Sequence, residues 1–409
     1  MKILFLGGFY PKEYIHQIRN SSKGPIANAN NALQWAYIEG LYSHIQSSSD
    51  QLYLISLPQI GAYPFRYTKL FFKVSSKYFI KKNNLIGICS NFLNLILFKH
   101  ISRYFISRKI LSDLIRKFDE KENILIILYD LQVPLLKAVE NIKKKYSNLR
   151  LCVIIPDLQG LTGSRQDLFY KVFEYFEKKL IDSSYKIIDS YVLLSKYMIE
   201  KIPINNKPWI VVEGMYNLKD DISLAPEKTD LKYIFYSGAL DKRNGVDNLI
   251  NAFVQIKDSS FRLVLCGDGY LRTEIEEAAS HDSRIEFKGQ IDRQEVLTLQ
   301  KKATLLVNPR QASGVFTRYS FPSKTIEYFA SSKPVLMYKI DGIPDEYYNY
   351  CFSPKDNSVV ELKNSILEIC NLSENILNEM GMRARAFVKE QKNSFVQTEK
   401  LLQMTSKLF

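Results

Sequence analysis

The chain has 409 residues, of which 46% are hydrophobic and 24% charged, a composition too apolar for a disordered protein. Its 17 glycines and 14 prolines are too few for a collagen-like or low-complexity chain. At roughly 100–200 residues per domain, the length predicts two globular domains. The net charge of +13 indicates an anionic partner and leaves nucleic acid, a membrane surface and a phosphorylated substrate open.

The first element is an apolar run that enters the turn Gly7-Gly8. At about six residues it is short for the core of a signal peptide, so we interpret it as a strand. A longer apolar stretch, Leu85–Phe98, contains Asn91 and Asn94. It falls short of the roughly 20 residues that a membrane-spanning helix needs, so no span is expected.

Short apolar runs alternate with helix-like segments along the whole chain, which is typical of parallel sheets covered by helices on both faces. We predict strands at Lys2–Leu6, Gln51–Ser56, Ile124–Leu128, Leu151–Ile155, Tyr191–Leu194, Trp209–Val212, Lys232–Ser237, Arg262–Cys266, Arg284–Phe287, Thr304–Asn308 and Pro334–Tyr338. The pattern predicts an α/β protein with two tandem doubly wound, Rossmann-like domains.

A polar stretch without a clear period, Tyr216–Asp230, marks the expected domain boundary. The predicted division is residues 1–222, residues 223–373 and a C-terminal helical segment, residues 374–409. In this architecture the last segment can cross back to brace the first domain.

Residues 66–117 interrupt the α/β pattern. They hold 12 basic residues and one acid, so they carry +11 of the net +13, together with nine Phe or Tyr residues. Lys69, Lys73 and Lys77 follow one another at helical spacing, which predicts an amphipathic helix on an anionic membrane surface. The alternative is an ordinary solvated helix face.

The five cysteines are widely spaced, form no Cys-x-x-Cys pair and are accompanied by only four histidines. We interpret them as reduced, mostly buried thiols of a cytoplasmic protein, and we expect no metal site.

Four polar turns follow the predicted strands of the second domain, at the edge where open parallel sheets bind ligands. One contains Gly238, Lys242 and Arg243, and another begins with Gly267. The others contain Arg310 and the segment Ser320–Glu327, in which Ser323 is expected to cap a helix whose amides face a phosphate. Together they indicate a nucleotide-diphosphate site.

Three segments in this half, Ser237–Ile250, Leu263–Gly269 and Ser323–Val335, resemble the C-terminal half of retaining glycosyltransferases of family 4, which have the GT-B fold. Asp182–Lys196 and Trp209–Gly214 resemble the end of that family's first domain, so the likeness extends over nearly the whole chain. The branch it most resembles makes bacterial surface polysaccharides, including exopolysaccharide, capsule and lipopolysaccharide.

The resemblance implies that a nucleotide sugar binds the second domain and that the acceptor binds the first. Glu327 would then hydrogen-bond the donor ribose, and the amides of Phe321, Ser323 and Lys324 would lie near the diphosphate or the sugar. Gly7 and Gly8 would let the first-domain turn approach the donor. Asp157 matches a family position near the acceptor hydroxyl, the alternative being an exposed loop carboxylate.

The chain departs from the family pattern where diphosphate cations are usual. Ala239 stands in place of an arginine, Asn244 in place of a lysine, and Tyr319 in place of the first of two glutamates. A diphosphate leaving group still needs compensating charge. The cations available for this are Arg310, Lys324, Arg243 and Lys242, and we favour the first two because both follow strand ends of one sheet.

No Asp-x-Asp pair occurs in the chain, which favours a metal-independent transfer with no cofactor besides the donor. The leading hypothesis is a hexosyltransferase, peripheral at the inner face of the cell membrane, that acts with retention on a sugar or polyprenyl-diphosphate-linked acceptor. Its alternatives are an inactive descendant, a non-catalytic scaffold protein of a polysaccharide assembly complex, a sugar-nucleotide epimerase and, more weakly, a dinucleotide-dependent oxidoreductase. Nucleic-acid binding is disfavoured because the charge is clustered in one apolar-rich segment.

Overall fold

The computed structural model describes residues 1–24, 26–158, 168–216, 230–312 and 314–409. Its contacts divide the chain into two compact units. The first unit comprises Met1–Glu213 together with Ser394–Phe409, and the second comprises Gly214–Asn393.

The strands are, in chain order, β1 (Lys2–Gly7), β2 (Gln51–Ser56), β3 (Phe71–Phe72), β4 (Tyr78–Lys82), β5 (Leu85–Cys89), β6 (Phe92–Leu93), β7 (Ile124–Tyr129), β8 (Leu149–Ile155), β9 (Ser190–Leu193), β10 (Trp209–Val211), β11 (Lys232–Ser237), β12 (Phe261–Cys266), β13 (Ile285–Gly289), β14 (Leu305–Asn308) and β15 (Val335–Met337). The helices are α1 (Ile15–Ser21), α2 (Asn28–Ile45), α3 (Phe98–Ile115), α4 (Val133–Lys143), α5 (Leu168–Ser184), α6 (Val246–Phe253), α7 (Arg272–His281), α8 (Arg293–Lys302), α9 (Lys324–Ala330), α10 (Val359–Cys370), α11 (Glu374–Gln391) and α12 (Ser394–Ser406).

The first unit is built on a sheet with the order β10-β9-β8-β7-β1-β2-β5-β4, in which β4 alone pairs antiparallel. The chain moves one way from β1 to β2 and the other way from β7 through β8 to β9. Right-handed crossovers therefore place α2 on one face of the sheet and α3, α4 and α5 on the other. The helix pairs α3 with α4 and α4 with α5 pack side by side, as this arrangement requires.

The second unit is a parallel sheet with the order β13-β12-β11-β14-β15. Strands β12, β14 and β15 are almost continuously buried, because helices cover both faces of the sheet. The chain starts at the central β11, moves outward on one side and returns to β14 on the other. The carboxyl ends of β11 and β14 therefore lie at the point where the strand order reverses, which is where such sheets bind ligands.

The predicted fold class is confirmed, and each of the eleven predicted strands is present to within two residues. The C-terminal segment divides between the units. Helix α11 remains in the second unit, whereas α12 packs on α2 of the first, with His44 stacked on Phe395 at a ring-centroid distance of 3.9 Å. The units separate between Glu213 and Gly214, and the boundary predicted after residue 222 lies outside the described residues.

The prediction of an amphipathic helix from Lys69, Lys73 and Lys77 is wrong. That stretch contains β3, a turn and the start of β4, and the three lysines are exposed. The reason is Phe72, whose fully buried ring stacks on Phe92 at 5.2 Å in the β3–β6 pair. An extended backbone delivers that ring to the core while the neighbouring side chains face water.

All five cysteines are buried free thiols, as predicted, and burial raises the pKa of each to about 12. Within the described ranges, none of the helices is both long enough and apolar enough to cross a membrane.

Candidate functional site

The turns after β11 and β12 meet at the carboxyl edge of the second sheet, and both depend on glycine. Gly238 has a φ of +148° and Gly267 a φ of +136°, values that side-chain-bearing residues rarely adopt. A Cβ atom on Gly267 would meet the carbonyl oxygen of Gly238, and one on Gly238 would meet Nζ of Lys324. The absence of side chains therefore leaves room above Gly238 for a lysine ammonium.

Lys324 is the first residue of α9, and its ammonium group is buried. Nζ lies 3.9 Å from the centroid of the Tyr236 ring and makes no hydrogen bond within the described structure. Burial, together with the charge of Arg310, lowers the pKa of Lys324 to about 7, against the opposing effect of Glu327 and Asp241. A buried cation in contact with a ring face but no acceptor is expected to favour an anionic ligand.

Arg310 follows β14 and is almost fully buried. Its Nη2 donates a hydrogen bond of 2.6 Å to Ser320 Oγ, and the guanidinium lies 4.4 Å from the centre of the Phe316 ring. Arg243 lies over the same ring at 5.9 Å, so one aromatic side chain supports two guanidinium groups. Sequence reasoning missed Phe316, which lies in no recognisable motif.

The turn that carries Lys242 and Arg243 is held by its neighbours. Oδ1 of Asp241 accepts hydrogen bonds from the backbone amide of Asn244 at 2.8 Å and from its side-chain amide at 2.9 Å. Asn244, which stands where the family usually has a lysine, therefore stabilises the turn. Lys242 and Arg243 are both exposed.

Glu327 lies in the first turn of α9 with its carboxylate partly exposed. Gln300 Nε2 donates a hydrogen bond of 2.5 Å to Oε1, and Arg293 Nη1 lies 3.7 Å from Oε2. The next residue, Tyr328, accepts a hydrogen bond of 2.9 Å from the Ser237 amide and so ties α9 to the end of β11. The carboxylate is fixed in direction and retains oxygen lone pairs for a hydroxyl-bearing ligand.

One prediction for the start of α9, the cap by Ser323, needs correction, whereas the contact expected of the Phe321 amide stays a prediction. Ser323 occupies the N-cap position, but its backbone is helical and its side chain makes no capping hydrogen bond. The ring of Phe321 packs 5.3 Å from that of Tyr347 in the core, so this side chain supports the turn from behind. Tyr319, where the family usually has a glutamate, is likewise buried.

In the first unit, Gly7 and Gly8 pack against side chains of the same unit. The amide of Gly8 donates a hydrogen bond of 3.0 Å to Gln34 Oε1. A Cβ atom on Gly8 would lie 2.8 Å from Cβ of Gln59, and one on Gly7 would meet Gln34. Close packing within this unit is sufficient to require both glycines.

Asp157 follows β8 and is exposed, as the alternative interpretation expected. The structure adds Asp130, which follows the adjacent strand β7 and has a φ of +69°, unusual for a residue other than glycine. Its Oδ1 accepts a hydrogen bond of 2.7 Å from the Leu131 amide. Burial raises the pKa of Asp130 to about 6, and the charge of Asp157 adds to the rise. Asp157 was identified by its match to a family position; a different signal, an acid two residues after a predicted strand, is present at both aspartates and could have found Asp130.

Two cations of α3 hydrogen-bond to the turns at the carboxyl edge of the first sheet. Nη2 of Arg103 donates to the Leu57 carbonyl at 2.7 Å and to Gln132 Oε1 at 2.8 Å, so one buried side chain links the turns after β2 and β7. Lys99 Nζ donates to the Ile60 carbonyl. Burial lowers the pKa of Arg103 to about 10 and that of Lys99 to about 7. Both were counted as surface charges from the sequence.

Residues 231–371 match the family described as "Glycosyl transferases group 1". This stretch, residues 231–371 of the 409, is therefore similar to a group 1 glycosyltransferase domain. The match agrees with the glycosyltransferase resemblance inferred from the sequence motifs, over the stretch that contains Lys324, Arg310 and Glu327. No curated protein matches the sequence.

Solved structures with the same architecture match the whole chain. A sucrose-phosphate synthase from Thermosynechococcus elongatus covers 100% of this chain and 99% of its own, with a TM-score of 0.63 and 15% identity. HepE from Anabaena, solved in complex with UDP, covers 100% of both chains, with a TM-score of 0.62 and 13% identity. The lipopolysaccharide outer core galactosyltransferase WaaB covers 100% of both chains, with a TM-score of 0.59 and 14% identity. At these identities the likeness shows the GT-B fold alone.

The second unit thus brings Gly238, Gly267, Lys324, Arg310 and Glu327 to one edge of its sheet. Two cations, one of them buried without a hydrogen-bond acceptor, can compensate a diphosphate, and an oriented carboxylate can bind hydroxyl groups. Across the described ranges, no group of three or more His, Cys, Asp or Glu side chains is placed to hold a metal ion.

Proposed function

We propose that the protein transfers a hexosyl unit from a nucleotide-diphosphate sugar to a sugar acceptor, with retention and without a metal ion, in bacterial surface polysaccharide synthesis. The observation that carries this proposal is the buried Lys324 ammonium beside Arg310 at the carboxyl edge of a domain similar to group 1 glycosyltransferases. A nucleoside diphosphate is the ligand class whose charge suits that pair.

In the reaction, the bond between the anomeric carbon and the diphosphate oxygen breaks, and a bond from the acceptor oxygen forms on the same face of the sugar. The nucleoside diphosphate leaves with the bonding electrons, so negative charge grows on its terminal phosphate. The acceptor hydroxyl passes its proton to an oxygen of the departing diphosphate, which lies on the same face of the sugar, as the new bond forms. Lys324 and Arg310 would stabilise the growing charge, which is the largest electrostatic demand of this chemistry.

The departures from the family pattern are explained by a change in where the charge comes from. The usual arginine after the first glycine is Ala239, but the ammonium of Lys324 lies against the same turn, at Gly238. Arg310 comes from the neighbouring strand end. A diphosphate responds to where a charge lies in space, so a cation from α9 can serve in place of one from the β11 turn.

Glu327 is proposed to bind the ribose hydroxyls of the donor, because Gln300 holds one of its oxygens and the carboxylate remains partly exposed. Asp157 and Asp130 are proposed to bind the acceptor hydroxyl in the first unit, where each follows a central strand of the sheet. A polyprenyl-diphosphate-linked glycan at the inner face of the membrane remains the proposed acceptor. The approach of Gly7 and Gly8 to the donor stays a prediction.

Binding of a panel of nucleoside diphosphates, followed by thermal unfolding, tests the donor site first. At a concentration of 100 times Kd, the matching nucleotide should stabilise the protein by about 2.7 kcal/mol. Lys324→Met and Arg310→Met should each weaken binding by about tenfold or more. Lys242→Met is the matched control, since that lysine is exposed on the same edge and should change affinity less than twofold.

Turnover with nucleotide sugars and a membrane extract separates the remaining functions. A transferase releases the nucleoside diphosphate and labels the extract, whereas an epimerase leaves the sugar attached to the nucleotide. A scaffold protein would bind no nucleotide sugar and release no product. No nucleotide binding together with no donor hydrolysis would contradict the transferase.

A further inference from the structure

Exposed apolar side chains of the first unit are concentrated on α3 and α5. On α3, Ile101 is 54% exposed and Phe105 57%, and on α5 Tyr175 is 56% exposed and Phe176 58%. Large apolar residues exposed singly need no explanation, but contiguous ones on a soluble protein mark an interaction surface.

These residues form one stripe along each helix. Phe98, Ile101 and Phe105 follow one another at intervals of three and four residues, as do Val172 and Tyr175 or Phe176 on the other helix. The two helices approach each other where the rings of His100 and Phe173 lie 5.5 Å apart. We call the set Phe98, Ile101, Phe105, Val172, Tyr175 and Phe176 the α3/α5 apolar surface.

The stripes are not misplaced core faces, because the opposite sides of the same helices are packed. Ile110, Leu111 and Leu114 of α3 are buried together with Arg103, and Ile181 of α5 is buried. Each helix therefore has two apolar sides, one against the protein and one against solvent. A helix that only covers a sheet would carry polar residues on its outer side.

Basic side chains continue both stripes. Arg108 and Lys109 are exposed in the next turn of α3 after Phe105, and Lys178 and Lys179 are exposed between Phe176 and Leu180. The ammonium of Lys179 lies 5.0 Å from the centre of the Tyr175 ring, so the charge and the aromatic face are presented together. Apolar side chains bordered by cations complement a surface that is apolar inside and negative outside.

The chain enters α3 through a strained residue. Leu97 has a φ of +68°, a conformation that costs of order 1–3 kcal/mol for a bulky side chain, and this side chain is 49% exposed. The strained turn directs Leu97 outward next to Phe98, where it extends the apolar surface.

We propose that the α3/α5 apolar surface inserts into the headgroup region of a lipid bilayer that contains anionic lipids. The partner is a membrane rather than a protein, because the four exposed basic residues bordering the surface outnumber the acids Asp113 and Asp182 farther along the two helices. Residues 66–117 also bring a net charge of +11 to the same unit. The contact differs from the predicted one, since Lys69, Lys73 and Lys77 form no helix and α5 lies outside the basic segment. The membrane contact itself does not depend on the proposed function. Only its purpose, which is to bring the protein to a lipid-linked acceptor, rests on that function.

Sedimentation with vesicles measures the contact directly on the full chain. Vesicles containing phosphatidylglycerol should bind the protein at least tenfold more tightly than phosphatidylcholine vesicles, and salt should weaken this binding. Ile101→Ser and Phe176→Ser should each lower the partition coefficient by about tenfold. Arg108→Glu and Lys109→Glu should each lower it by about fivefold and reduce the salt dependence.

Ile376→Ser is the matched control, because Ile376 is 47% exposed on α11 of the other unit and should leave vesicle binding unchanged. Thermal unfolding and nucleoside diphosphate binding should be the same in all these variants. Intact nucleotide binding with lost vesicle binding therefore supports the surface independently of the transfer reaction.

Insertion is distinguished from headgroup adsorption by fluorescence. Phe105→Trp should be quenched by lipids brominated near the headgroup end of the acyl chains, whereas Val360→Trp on α10 should show only the background of the two native tryptophans. Equal binding to both vesicle types, or unchanged binding of Ile101→Ser, would overturn the proposal. Self-association that Ile101→Ser abolishes, without vesicle binding, would assign the surface to a protein partner instead.

Discussion

Lys324 makes the binding of a nucleoside diphosphate depend on pH in a direction that the structure fixes. Its ammonium is buried over the Tyr236 ring without a hydrogen-bond acceptor, and burial lowers the pKa of Lys324 from 10.5 to about 7. At pH 8 most of the free protein therefore carries a neutral Lys324. A diphosphate binds the charged form, so binding must return the proton.

The size of the effect follows from the two pKa values. If the diphosphate restores the pKa of Lys324 to its ordinary 10.5, Kd should rise by about 100-fold between pH 6 and pH 9. That factor corresponds to about 2.7 kcal/mol. Most of the loss falls above pH 7, because below this pH the lysine is already charged. The phosphate protons of the nucleotide have largely left by then and contribute little.

Other titrating groups at the site do not produce the same profile. Burial raises the pKa of Tyr236 and of Tyr328 well above the ordinary range, and it raises the pKa of Cys266 to about 12. All three stay protonated up to pH 9.

Isothermal titration of the full chain with the matching nucleoside diphosphate at pH 6, 7, 8 and 9 measures the affinity. Repeating the pH 8 titration in buffers with different ionisation enthalpies counts the protons taken up, for which we expect about 0.9 per nucleotide. Lys324→Arg keeps its charge at every pH, so its Kd should not vary with pH. Lys242→Met should retain the profile of the unsubstituted protein.

An unchanged Kd from pH 6 to pH 9, with no proton uptake, would refute this reasoning. It would mean that Lys324 is charged in the free protein or does not meet the diphosphate. Lys324→Met separates the two cases, because affinity that survives this change excludes the contact itself.

Three further substitutions test residues at the carboxyl edges of the two sheets. Glu327→Gln should weaken nucleotide binding by about tenfold, and the 2′,3′-dideoxy nucleotide should bind this variant and the parent equally weakly if the carboxylate contacts the ribose. Gly267→Ala should destabilise the second unit by about 3 kcal/mol in urea unfolding, because the new Cβ combines a positive φ with a clash against the Gly238 carbonyl. Gly289→Ala is the control, because its Cβ would point into open space and only the positive φ should cost about 1 kcal/mol. Arg103→Met should cost about 3 kcal/mol by leaving two buried acceptors unpaired, and Arg116→Met on the exposed side of α3 less than about 0.5 kcal/mol.

The strands could be predicted from the sequence because burial on both faces leaves a strong local signal. A run such as Ile124–Tyr129 has no polar position, and only a central parallel strand tolerates that. The stretch around Lys69 and Lys73 carried a competing signal of helical spacing. There the long-range contact between Phe72 and Phe92 decided the conformation, and no pattern local to either phenylalanine reveals that contact.

For the site, the sequence could place residues at strand ends but not decide which cations are buried. Lys242, Arg243, Arg310 and Lys324 look alike as basic residues in polar turns. Their difference arises from packing, because the first two project from a surface turn whereas the last two are enclosed by neighbouring strand ends. The same limit applies to Arg103, which belongs to a basic segment by composition and to a buried hydrogen-bond network by position.

Gly238, Tyr236 and Lys324 together form one candidate anion-binding site. Burying an ammonium without an anion is costly, and the face of Tyr236 reduces that cost while leaving the positive charge available to a ligand. Gly238 provides the space, since any side chain there would occupy the position of Nζ. A chain with this trio can tolerate Ala239 in place of the usual arginine, because the charge already lies against the same turn. A second cation restored at position 239 would repel Lys324 and lower its pKa further, so Ala239→Arg is expected to add little affinity.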